Sequence, residues 1–324
     1  LPDCLFENAI GSDKGVSIVI PEGVTWIGGR CFKNFTNLKT IILPTTLERI
    51  YDYSFSGTGI ENITIPDGIK AMYKSVFYQC KNLEEITIPN SIEELGTYIF
   101  SDCTSLTKVI LNNTRQNITT GMFQNCTSLE KITLPDSVTN INAYAFAGCT
   151  SLKTIKWSAS IATIKEQAFY NCDTLTEIKV PDSVKELGSQ IFYDCDALTD
   201  VKLGAGIRSI PDSAFEHCDK LESLAVPYKV TSIGNNVFKN DVAFTAITIP
   251  RATTSISSNA FSYPDKLTIY GVPGTYAETY AKENSINFVA KEVKVTKVTL
   301  DKNELYVNKG ISYKLKINIE PENF

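Results

Sequence analysis

Nine cysteines and a single histidine carry most of the reactive potential of this sequence. Seven of the cysteines, Cys80, Cys103, Cys126, Cys149, Cys172, Cys195 and Cys218, follow one another at 23-residue intervals. This is not zinc-ligand spacing, because there is no C-x-x-C pair to hold one side of a tetrahedral site. If the 23-residue units stack, successive cysteine α-carbons fall within disulfide range, but their side chains run parallel instead of facing each other. A buried column of thiols serving as small apolar filler fits this arrangement. Cys31 fills a similar slot before Phe32, and Cys4 lies outside the register. His217 has no second histidine to form a pair or triad, and reads as a solvent-facing turn residue. No nucleophile elbow, glycine-rich phosphate loop or calcium loop is present. The sequence therefore predicts no catalytic residue, no cofactor and no metal.

The cysteine column is one of several. Phe32, Phe55, Phe77, Phe100, Phe123, Phe146, Phe169, Phe192, Phe215, Phe238 and Phe261 are separated by nine intervals of 23 residues and one of 22. Leucine recurs six residues after most of them, and an aliphatic residue or Met72 five before each. Between these lies a short alternating run ending in proline, as in Ile86-Thr87-Ile88-Pro89 and Ile132-Thr133-Leu134-Pro135. Alternation with period two is a strand signal, and proline ends the strand because it cannot donate to a ladder. Strands this short, one per coil, can only stack in parallel. The small and amide residues two after each phenylalanine, such as Asn34, Gly57 and Asn125, predict a left-handed or capped turn. The expected fold is an α/β-type repeat solenoid of eleven coils, with one short parallel strand per coil and little helix. Such a rod is roughly 50 Å long at strand spacing, with a core shared between neighbouring coils.

These columns resemble the BspA-like leucine-rich repeat of bacterial surface proteins over residues 14–270. The pattern departs locally at Asn112 and Arg115, at Trp157 and Ser158, at Gly204, and in the cysteine column at Asp241 and Pro264. The resemblance implies a non-enzymatic role in adhesion to host or neighbouring-cell macromolecules, at the cell surface or after secretion.

Residues 1–13 are expected to form an N-terminal cap and residues 271–292 a C-terminal cap. In the latter, Ala277, Tyr280, Ala281 and Asn284 have helical spacing. From about Val293 the period becomes two, in Val298-Thr299-Leu300, Leu305-Tyr306-Val307 and Tyr313–Ile319, with Asn308-Lys309-Gly310 as a turn. Residues 293–324 are similar to the first strands of a bacterial immunoglobulin-like domain of the intimin/invasin group. A complete sandwich needs about 100 residues, so the expectation is a processed or excised piece of a longer protein. The chain is expected to be a monomer, with pairing through the truncated strands as a side effect.

The solvent-facing strand columns are the expected recognition face. Lys156, Lys179 and Lys202 recur at coil spacing, with Glu177 and Asp200 beside two of them. Tyr170 and Tyr193, neighbours in another column, could anchor a partner. The expected partner is an extracellular protein or glycan. Alternatives are a stalk without its own ligand, or a non-catalytic part of a larger secreted enzyme. Thirty-one basic against thirty-six acidic residues, a net charge of -5, exclude a strongly basic nucleic-acid binder. No apolar run is long enough to span a membrane.

Overall fold

The computed structural model describes residues 1–9, 15–112 and 117–291, and the strands Val295–Leu300 and Ile317–Pro321. The described residues between 7 and 268 form a parallel-strand solenoid with very little helix. The phenylalanine rings stand in one file, with centroids 5.3 to 5.8 Å apart and planes within 17° of parallel from Phe32 to Phe261. Phe32 through Phe238 are fully buried. The leucine and aliphatic columns pack beside them, giving one continuous core.

Three details go beyond the sequence reading. First, most coils carry two strand segments, one of the two being reduced to a single bridge at Asn62 and at Ile118. The alternating run makes one ladder, as in Lys131–Thr133 beside Thr154–Lys156. The aliphatic residue before each phenylalanine makes a second ladder of two-residue strands, as in Asn140–Ile141 beside Thr163–Ile164. Second, Phe6 adds a twelfth ring, stacked on Phe32 at 5.3 Å. Cys4 and Asn8, both with positive φ, flank it as the turn residues flank the rings from Phe32 to Phe238, so Cys4 lies within the register. The three extra residues between Phe6 and Phe32 hide this in the sequence. Third, left-handed backbone occurs on both sides of each phenylalanine of the file from Phe32 to Phe238. The expected column after the ring is left-handed from Asn34 to Asn240, and so is a column two residues before it, including Arg30, Tyr53, Tyr98 and Gln167. Alternate amides in this turn donate to the next coil and the rest close four-residue turns, as with Phe146 to Ala168 and Ala147 to Tyr144.

The first ladder is not continuous. It is interrupted after Leu38–Ile42 and again after Lys108–Leu111, Thr154–Lys156 and Asp200–Lys202. The last three interruptions follow the coils where Asn112, Ser158 and Gly204 replace the proline. The second ladder is interrupted elsewhere, after Glu94–Leu95 and after Glu186–Leu187.

At the C-terminal end the helix Tyr276–Glu283 buries Ala277, Tyr280 and Ala281. The Tyr280 ring lies 6.3 Å from Phe261, and its hydroxyl donates to the Ser257 carbonyl at 3.0 Å. Beyond it, Val295–Leu300 pairs antiparallel with Ile317–Pro321. Arg115, Leu305-Tyr306-Val307 and residues 313–316 lie outside the described residues.

Candidate functional site

All nine cysteines are free, and all but Cys4 are buried. The column thiols do more than fill space. Each donates to the carbonyl of the phenylalanine one coil back, from Cys80 to Phe55 at 3.0 Å through Cys218 to Phe192 at 3.1 Å. Burial pushes these thiols up, Cys80 to about 11 and Cys149 and Cys195 to about 12. A thiolate is the reactive form, so the column is chemically quiet. A thiol reagent should modify only Cys4 in the native protein and all nine cysteines in denaturant. Fast native modification of a column cysteine would contradict the arrangement. Among the described residues no group of three or more histidine, cysteine or carboxylate side chains is placed to hold a metal ion. Among them, too, no helix is long and apolar enough to cross a membrane.

The predicted strand face divides into two groups. Parallel pairing places Glu177 beside Asp200 and Lys179 beside Lys202. Lys202 meets Asp200 of its own strand at 3.1 Å. Lys156, Lys179 and Glu177 have no ion-pair partner among the described residues. Exposed pairs of this kind contribute at most about 1 kcal/mol, so the lysines are free to meet a partner. Tyr170 and Tyr193 stack at 5.2 Å, but in the phenylalanine turn, where Tyr193 also meets the His217 ring at 5.5 Å. His217 is held there by the Asn240 side chain at 3.0 Å.

A depression of about 360 Å³ opens on the strand face where the first ladder is interrupted between Thr154–Lys156 and Glu177–Lys179. Lys153, Glu177, Lys179, Asp200 and Lys202 line it, with Trp157; Lys156 stands outside the lining. Trp157 takes the place that valine, isoleucine or leucine holds in most coils, and its half-buried ring meets Phe169 edge-on at 5.9 Å. The indole is the residue that the charge pattern missed, and its signal was the break in the aliphatic column. An aromatic wall with flexible charges of both signs suits a macromolecular contact.

Comparison with known proteins agrees with this architecture. The model of the BspA type leucine rich repeat region matches residues 7–128, 71–199 and 140–268. A leucine-rich repeat protein from Bacteroides ovatus is 26% identical, with 90% of this chain and 86% of that chain covered and a TM-score of 0.61. A leucine rich cell surface protein from Faecalibacterium prausnitzii is also 26% identical over the same shares, with a TM-score of 0.54. The pneumococcal vaccine antigen PcpA shares the fold at 18% identity, with 86% and 90% covered and a TM-score of 0.53. No curated protein matches the sequence. With the repeat in register from residue 7 to residue 268 and its rings in single file, this chain belongs to the BspA-type leucine-rich repeat family.

Proposed function

We propose that the chain is a non-enzymatic repeat module of a cell-surface or secreted protein, and that its strand face around Trp157 binds an extracellular protein or glycan in adhesion. The observation that carries this reading is the depression at the ladder interruption, where the unpaired Lys179 and Glu177 stand beside an indole. The rigid core gives that surface a fixed shape, which lowers the ordering cost of binding. The cell-surface protein from Faecalibacterium prausnitzii supports the location. The antiparallel pair after residue 294 supports reading the C-terminal segment as the start of an immunoglobulin-like spacer.

Labelled protein should bind cultured epithelial cells or immobilised mucin saturably, and more weakly as salt screens the charges. The double substitution Lys179→Glu with Lys202→Glu should weaken that binding by about tenfold. Binding that never saturates, or that ignores the double substitution, would leave the rod as a stalk without its own ligand.

A further inference from the structure

A second depression, of about 490 Å³, lies on the phenylalanine-turn part of the coils and shares no residue with the first. Tyr53, Tyr78 and Tyr98, from three successive coils, supply its aromatic surface, and Asp102, Gln124 and Asn125 supply polar groups. The coils are spaced by ring separations of 5.4 and 5.6 Å here. Tyr53 and Tyr98 occupy the same column two coils apart, with the small Ser75 between them.

The tyrosines are already positioned. Column by column, the residue beside Tyr98 on the next coil is Gly121, the one glycine at that place among the described coils. Gly121 has φ +60°, and a Cβ there would lie 2.2 Å from Tyr98 Cδ1. The Tyr98 ring therefore lies against the Gly121 backbone, in space that any side chain would fill. Gln79 Nε2 donates to the Tyr78 hydroxyl at 3.2 Å, and the Asp102 carboxylate stands near that hydroxyl. Asn125 Nδ2 donates to Asp102 Oδ1 at 2.8 Å. The tyrosines and Asp102 are half-buried, so little side-chain freedom remains to be lost on binding.

We propose that this depression is a binding site for a neutral carbohydrate, a segment of about three sugar rings. The C–H face of a pyranose packs on an aromatic ring, and the two tyrosine places, two coils and about 11 Å apart, match alternate sugars of a chain. Carboxylate and amide side chains, which together donate and accept, suit the ring of hydroxyls. Charge separates this from other ligands. Lys74 and Asp102 are the charged residues lining the site, so no positive cluster is present to draw phosphate, sulfate or nucleic acid. At about 490 Å³ the depression has the size of a small-ligand site and not of the broad patch that a protein partner covers.

The test is calorimetric titration of the whole chain with a set of neutral disaccharides and tetrasaccharides (gluco-, manno-, galacto- and xylo-configured), with sialylated and sulfated oligosaccharides in parallel. At least one neutral tetrasaccharide should bind with a Kd of about 1 mM or tighter. Tyr98→Ala and Asp102→Asn should each weaken it about tenfold with unchanged thermal unfolding. Gly121→Gln, which forces the Tyr98 ring aside, should do the same; if that chain unfolds early, the Asp102→Asn result decides. Lys179→Glu with Lys202→Glu should leave this binding unchanged, which separates the site from the strand face. Absence of binding to every neutral sugar, binding to anionic sugars alone, or binding that survives both Tyr98→Ala and Asp102→Asn would overturn the assignment.

Discussion

Truncating Phe146 to alanine lowers the free energy of unfolding by about 3–5 kcal/mol, the usual range for a buried phenylalanine. The ring is fully buried, with Phe123 at 5.5 Å on one side and Phe169 at 5.4 Å on the other. Its removal opens a cavity that the flanking rings cannot close, since their backbone turns are pinned by hydrogen bonds to both neighbouring coils. In a one-dimensional array each coil is stabilised mainly by its neighbours, so the loss falls on two interfaces at once. Urea unfolding followed by circular dichroism measures it. The same change at Phe261, which is only half-buried at the end of the file, should cost clearly less. Equal losses at the two positions would contradict the stacked core.

Replacing Asp241 by cysteine stabilises the protein, and the gain grows with pH. Asp241 stands in the cysteine column, 1% exposed, where its Oδ1 accepts from the Cys218 amide at 2.8 Å and its Oδ2 has no partner. Burial, only partly offset by the Cys218 amide, raises its carboxyl to about 9; Asp219 and Glu216 push in the same direction as burial. In the unfolded chain it titrates near the ordinary value of about 4. Between these two values the folded protein keeps a proton that the unfolded chain has released. Stability is therefore fully present at acid pH and falls as pH rises through that window. A cysteine removes the carboxylate and can donate to the Phe215 carbonyl, as the other column thiols donate one coil back. The expected gain at neutral pH is about 1–3 kcal/mol, the cost of a buried unsatisfied polar group. Melting temperatures at about pH 5 and about pH 8 should differ more for the native sequence than for the variant. Parallel pH dependence of the two proteins would exclude Asp241 as the source.

The phenylalanine file and the strand-turn alternation were legible because core positions restrict residue type. Only a large ring fits between Phe123 and Phe169, and only a small side chain fits at Cys149. The second ladder was not legible, since strands of two residues such as Asn140–Ile141 carry no period. Nor was the left-handed column before each ring. Tyr53, Gln167 and Arg30 hold a backbone more often taken by glycine or asparagine, so their residue types gave no sign of it. For the strand face, the charges were readable at coil spacing, but their grouping was not. Which lysines share a depression depends on where the ladder is interrupted; three interruptions follow a coil that lacks the proline, but the one after Leu38–Ile42 follows a coil that keeps Pro44. The tyrosine site was invisible for a similar reason: the significance of Gly121 for Tyr98 exists only once the two coils are side by side.

Among the described residues the interruptions of the two ladders do not coincide. Where Thr154–Lys156 parts from Glu177–Lys179, Thr163–Ile164 remains bonded to Glu186–Leu187; where the latter parts from Ser209–Ile210, Glu177–Lys179 remains bonded to Asp200–Lys202. The seams are offset like joints in brickwork. A pull along the axis meets no plane at which the courses are already separated on both sides, so a tear that starts at one joint runs into an intact bond at the next. For a protein anchored at one end and loaded at the other, this bonding pattern lets individual joints give without parting the wall.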